Sequence, residues 1–221
     1  MKNKKEVFNL TNEFTLKSAY LQESMIEGCV QQITCKTTGV DCETENDVVV
    51  GRSSFLVVKT LHEDVVYNWS DILDLEARTA PYMALFDYQN NGLSNSAYEA
   101  IGAPEHIFPE DVMDALIVDR LEIAPEYRGN SYGEIIISDA IEKFGQRVGI
   151  IAVKPFPLQF ENILGEQTRA SEDDRQWHLS MQLEKLDSNR KKAFAKLQSY
   201  YQSLGFNPAE EGVFLMQNPL I

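Results

Sequence analysis

Cysteine is scarce in this chain and odd in number: Cys29, Cys35 and Cys42 are all there are, at spacings that form no paired zinc knuckle. A disulfide framework and a thiolate metal site therefore lack support, and the expectation is reduced thiols in a cytoplasmic setting. Long hydrophobic runs are missing too. No stretch approaches the roughly 20 apolar residues of a membrane span. The start, Met1-Lys-Asn-Lys-Lys-Glu-Val-Phe8, is positively charged but has no apolar segment behind it, so it does not read as a signal peptide. Cations are in deficit, with 20 Lys and Arg against 34 Asp and Glu and a net charge of −14. Such a surface repels a phosphate backbone, and the clearest basic cluster, Arg190-Lys-Lys192, is short. Nucleic acid is thus not expected as a partner, whereas a cationic amine is electrostatically welcome.

Several catalytic signatures are absent as well. There is no G-x-x-x-x-G-K-S/T phosphate loop and no G-x-G-x-x-G dinucleotide fingerprint. No G-x-S-x-G elbow presents a nucleophile. His62, His106 and His178 stand in no metal-binding spacing, so no metal is expected.

What is present begins with 43% hydrophobic residues in 221, enough for one enlarged domain with a single core. The most informative stretch is Arg120-Leu-Glu-Ile-Ala-Pro-Glu-Tyr-Arg-Gly-Asn-Ser-Tyr-Gly133. An apolar run, Ala115–Val118, passes into Leu121 and Ile123 alternating with polar residues, which reads as a strand. Pro125 ends that strand, because it lacks an N–H and restricts the residue before it. A glycine-bearing turn then opens an amphipathic helix carrying Ile137, Ile141 and Phe144. A strand, a glycine turn and a helix start place unpaired backbone N–H groups at a positive dipole end, which is an anion cradle.

Pro125–Gly133 resembles the acyl-CoA loop of the GNAT superfamily of N-acyltransferases. That loop runs Arg or Gln, two residues, Gly, one residue, Gly or Ala, after a strand ending in Pro and an aromatic-Arg pair. Arg128, Gly129 and Gly133 match, and Ser131 stands where the family usually has its middle glycine. Downstream, Phe194, Leu197, Tyr201 and Leu204 form a helical stripe closed by Gly205 as a left-handed cap. Tyr200-Tyr-Gln-Ser-Leu-Gly-Phe206 is similar to the family's second signature, an aromatic-Tyr helix end closing in Leu-Gly-Phe. A strand-like Val148–Val153 lies between the two motifs.

The resemblance implies an α/β fold with a mixed, mostly antiparallel sheet and helices on both faces. It implies one domain over 1–221, with about 112–217 as the acyl-CoA half. It implies acetyl-CoA as acyl donor and a primary amine of a small molecule or peptide as acceptor, with a homodimer possible. By position, Glu122, Ile123 and Ala124 supply backbone groups to the pantetheine arm, and Arg128, Gly129, Asn130, Ser131, Tyr132 and Gly133 hold the pyrophosphate. Tyr201 matches the tyrosine that protonates the coenzyme A thiolate, although its place on the apolar stripe fits a core residue equally. Glu122 and Asp119 are the carboxylates available as general base on the first strand, and a water chain with no dedicated base is the alternative. The family's frequent asparagine early in the last helix is Phe194 here. A catalytically silent GNAT-like domain that binds acyl-CoA or another protein is the competing expectation.

The remaining sequence is read on its own terms. A helix is placed loosely around Ser18–Gln32, and Val48–Val58 reads as one or two strands with a bulge or turn at Gly51–Ser54. Ser70 is expected to cap a helix carrying Ile72, Leu73, Leu75 and Glu76 that ends or kinks by Pro81, and Asn90-Asn-Gly92 marks a loop. About 35 residues connect Lys154 to Asn189, too many for a plain linker, so 156–188 reads as an insertion or lid. It either borders the acceptor site or serves as an outer elaboration or oligomer contact.

Overall fold

Three long β-rich segments fold first against one another: β1 (Val7–Lys17), β2 (Val30–Asp41) and β3 (Asp47–Val58) form an antiparallel meander. The computed structural model describes residues 5–17, 28–62, 65–66, 68–75, 77–87, 89, 92–102, 114–161 and 171–220. Two short hairpins follow, β4 (Leu61–His62) with β5 (Val65–Val66) and β6 (Phe86–Asp87) with β7 (Gly92–Leu93). Helices α1 (Trp69–Leu73) and α2 (Asn95–Ile101) lie on either side of β6 and β7 in the chain. The second half runs β8 (Asp114–Ile123), α3 (Tyr132–Phe144), β9 (Val148–Val153), α4 (Glu172–Ser180), α5 (Arg190–Ser203), β10 (Asn207–Pro208) and β11 (Phe214–Gln217).

The large sheet has seven strands in the order β1-β2-β3-β8-β9-β11-β10. Every neighbouring pair is antiparallel except β8 and β9, which are parallel because α3 carries the chain back between them. All six residues of β9 are buried, as a central strand covered on both faces requires. On one face α3 and α5 pack Ile136, Ile137, Ile141 and Tyr201 against Ile33, Phe55, Leu116 and Ile151. On the other, α1, a 3-10 turn at Ala80–Leu85 and α2 pack Trp69, Ile72, Leu85 and Ile101 against Leu56, Ile117 and Leu215. The chain is thus an α/β protein with a mixed, mostly antiparallel sheet and helices on both faces.

Elements set by local chemistry fall where the sequence reading puts them. Gly205 closes α5 with φ +94° and Phe206 behind it is buried. Val48–Val58 belongs to one strand, with register shifts near Gly51 and at Ser54/Phe55. Two expectations fail. Ser70 is not a cap, since α1 already begins at Trp69 with Asn68 at the N-cap position. Residues Val30–Gln32 belong to β2 rather than to a helix, because their backbone pairs in register with β3 from Val58 to Leu56; residues 18–27 and Asn90-Asn91 lie outside the described residues.

Candidate functional site

The site is built from the place where two central strands part. β8 and β9 run together as far as Val118 opposite Val153, and beyond that rung β8 keeps only β3 as a partner. The ladder with β3 jumps from Phe55–Val118 to Ser54–Arg120, so Asp119 is an extra residue bulged out at the point of parting. Beyond Val153, Pro155 and Pro157 keep the chain from continuing β9. The result is an opening in the ladder: beyond Val118 the edge of β8 turned away from β3 has no strand partner.

Backbone direction decides which groups face this opening. The Ala124 N–H donates to the Val50 carbonyl at 2.9 Å, so Ala124 faces β3. Strand groups alternate, which turns Glu122 toward β3 as well and leaves Ile123 pointing to the unpaired side. The Ile123 carbonyl already accepts from Arg128 Nε at 2.9 Å, and Arg128 Nη2 donates to the Met181 carbonyl at 2.9 Å. Arg128 is therefore a strut between the end of β8 and the long connection.

The turn after β8 has the cradle geometry. Pro125–Tyr127 make one 3-10 turn, Gly129 and Ser131 take positive φ of 84° and 60°, and α3 starts at Tyr132. The N–H groups of Tyr132, Gly133 and Glu134 have no intrahelical acceptor and lie at the positive end of the helix dipole. The N-terminal strand backs the turn: Lys5 N–H donates to Glu126 O, Asn130 Nδ2 to Lys5 O, and Val7 N–H to the Tyr132 hydroxyl. A Cβ at Gly133 would sit 2.5 Å from the Tyr200 hydroxyl, so glycine permits that phenol to lie on the first turn of α3. Burial and the nearby Glu134 charge push Tyr200 up to about 12.

Tyr201 is 5% exposed, packed edge-on to Tyr200 and Phe206, and burial raises its phenol well above the ordinary tyrosine value. Phe194 sits in an aromatic cluster with Phe156 and Phe160 at the start of the connection. Both candidate carboxylates are held. Asp119 accepts from Arg78 Nε at 3.2 Å, Arg78 Nη2 at 2.6 Å and the Ser54 hydroxyl. Glu122, 6% exposed, accepts from Arg120 Nε at 2.7 Å and from Trp177 Nε1 at 2.6 Å. Arg120 in turn forks onto both oxygens of Glu161.

On the face of the sheet opposite α3, a cleft of about 800 Å³ lies between the polar ends of β1, β2, β3 and β8 and the helix α4. Arg52 crosses it, with its guanidinium 4.9 Å over the Trp177 ring and paired to Asp173 and Asp174.

No protein-family model matches the sequence, no curated protein is significantly similar to it, and no solved structure matches it. Among the described residues no group of His, Cys, Asp and Glu is arranged to hold a metal ion, and no helix is long and apolar enough to cross a membrane.

Sequence reasoning missed Arg78, Trp177 and Tyr82. Tyr82, 5% exposed, accepts from the Lys154 N–H at 3.1 Å, just beyond the end of β9. The three come from segments far from β8 in sequence, and no spacing rule links them to it.

Proposed function

We propose that the chain is an acetyl-CoA-dependent N-acyltransferase of GNAT type acting on a primary amine. The observation that carries this is the parallel pair β8–β9 parting after Val118 and Val153 beside a positive-φ turn and a helix start. An opened parallel pair offers strand-type hydrogen bonds to an amide-bearing arm. The adjacent helix N-terminus offers N–H groups to its pyrophosphate. Both fit acyl-CoA, whose pantetheine and diphosphate are joined in that order.

In this proposal Ile123 N–H pairs with the pantetheine arm, and the amides from Asn130 to Gly133 hold the diphosphate. The amine attacks the thioester carbonyl carbon, the C–S bond breaks, the Tyr201 phenol gives its proton to the departing sulfur, and the proton the nitrogen sheds as the amide forms restores the phenol. The ammonium proton leaves earlier. Asp119 is the nearer carboxylate to the parting of the strands, and Glu122 lies farther along β8 beneath Trp177. With both carboxylates already held, water is the simplest carrier of that proton.

A second reading, a domain that binds acyl-CoA without turning it over, draws support from Tyr201. A buried phenol with a raised pKa is a poorer acid than the roughly pH 8.5 thiol it would serve. Calorimetry with acetyl-CoA tests the cofactor half of the proposal, and silence at about 1 mM ligand ends both readings. Amine-dependent release of free thiol then separates enzyme from binding module.

A further inference from the structure

The cleft under α4 has a built polar floor. Strand register places Glu13, Lys36, Arg52 and Glu122 side by side on β1, β2, β3 and β8. The next rung toward the parted strands is Thr15, Thr34, Ser54 and Arg120. On the roof, α4 contributes Asp173, Asp174 and Arg175. Carboxylates and cations therefore balance around this cleft in a chain whose net charge is −14. A wall tuned for a bare polycation would not keep cations at its centre.

Lys36 forms no ion pair among the described residues, although Glu13 lies opposite it. Arg52 keeps its buried Nε without a partner, and its two pairings go to aspartates that are 79% and 61% exposed. Exposed ion pairs of this kind are weak and exchange readily for a better anion. Lys36 and Arg52 are cross-strand neighbours, so together they form an anion clamp at the middle of the floor.

We infer, resting on the acyltransferase reading for the role of the amine, that the acceptor is a short peptide with free ends. Its C-terminal carboxylate lies in the Lys36–Arg52 clamp and its N-terminal amine faces β8. The clamp straddles β2 and β3, so its centre lies about one and a half strand spacings from β8, roughly 7 Å. An extended residue spans about 3.3–3.6 Å, so a di- or tripeptide bridges the clamp and the parted strands while a single α-amino acid does not. The volume of about 800 Å³ accommodates such a molecule.

Trialanine, its C-terminal amide and free alanine are the probes, titrated into the full chain by calorimetry without acetyl-CoA. Trialanine binds the wild type, and the amide and free alanine each bind at least tenfold more weakly. Lys36→Gln, an exposed position, loses the preference for the free acid, and Arg52→Gln does so as well. Equal binding of acid and amide overturns the inference, as does absence of trialanine binding at about 10 mM. Because no acyl donor is present, this outcome is independent of the acetyl-CoA calorimetry: a chain that binds acetyl-CoA but not trialanine keeps the acyltransferase proposal and loses the peptide.

Discussion

At the scale of single residues, two adjacent tyrosines take different surroundings. Tyr201 lies in the core, and Tyr200 rests its hydroxyl on α3. If the Tyr201 phenol is the acid, Tyr201→Phe keeps its packing and lowers turnover by roughly 10²–10⁴-fold with acetyl-CoA affinity unchanged. An unaltered rate across pH assigns Tyr201 to the core alone. Ser131 offers a different test. It occupies a left-handed conformation at φ 60° without a capping hydrogen bond, a geometry that favours glycine. Ser131→Gly is expected to raise stability by about 0.5–1 kcal/mol in chemical denaturation, and a loss of stability refutes the strain. The glycine expected at this position by resemblance has its physical reason there. The role of Arg128 was less legible: its spacing marks the loop, but its two carbonyl partners depend on where Met181 arrives.

Among elements, the strand–turn–helix from β8 to α3 was readable because each of its devices is local: alternation, Pro125, glycines and an apolar stripe. The cover of the site was not. α4 buries none of its residues fully, so no amphipathic pattern announces it, and it is fixed instead by Trp177 to Glu122 and by Arg52 to Asp173. Likewise, α1 is too short for periodicity to locate its cap. Contact between α3 and α5 yields a sharp expectation. Gly133→Ala brings a methyl group within 2.5 Å of the Tyr200 hydroxyl and 3.1 Å of Leu121 Cδ2. Thermal unfolding should show a loss of about 1–3 kcal/mol, the usual scale for overpacking. Adding Tyr200→Phe removes the nearest colliding atom and recovers a measurable part of that loss. Strict additivity of the two substitutions contradicts the contact.

For the whole molecule, the sequence foretold the class of sheet but not the way its distant parts are tied. Tyr82, Tyr127, Tyr200 and Tyr201 all have their phenols raised, with burial the first cause in each. An unfolded chain loses these protons near 10.0, the ordinary value, before the folded one does. The phenols' contribution is therefore complete below pH 10 and declines above that as the pH climbs toward the raised values, while the buried Cys29 and Cys35 thiols, raised from 9.0, start the same decline about a unit earlier. Asp41 works in the opposite sense: the Thr44 and Glu43 amides and the Tyr127 hydroxyl hold its carboxyl far below its usual 3.8. Its contribution is present above pH 3.8 and is lost as the pH falls below it. Unfolding free energies measured across pH should show both limbs, and Asp41→Asn should flatten the acid one while trimming the share of the alkaline one that Asp41 lends to Tyr127. Stability that does not go on falling above pH 10 contradicts the burial of the phenols.

The bulge at Asp119 has a consequence for length changes in the gene. In β8, Val118 faces α3 and Arg120 faces the cleft, so the alternation is already correct without the residue between them. Excising Asp119 alone would leave every later side chain of the strand on its present face. Most single-residue deletions in a central strand invert everything downstream; this one restores an ordinary ladder. A frame-preserving codon loss here is thus a route by which the chain could keep its fold, shed the Arg78 anchor and straighten the strand where it leaves β9.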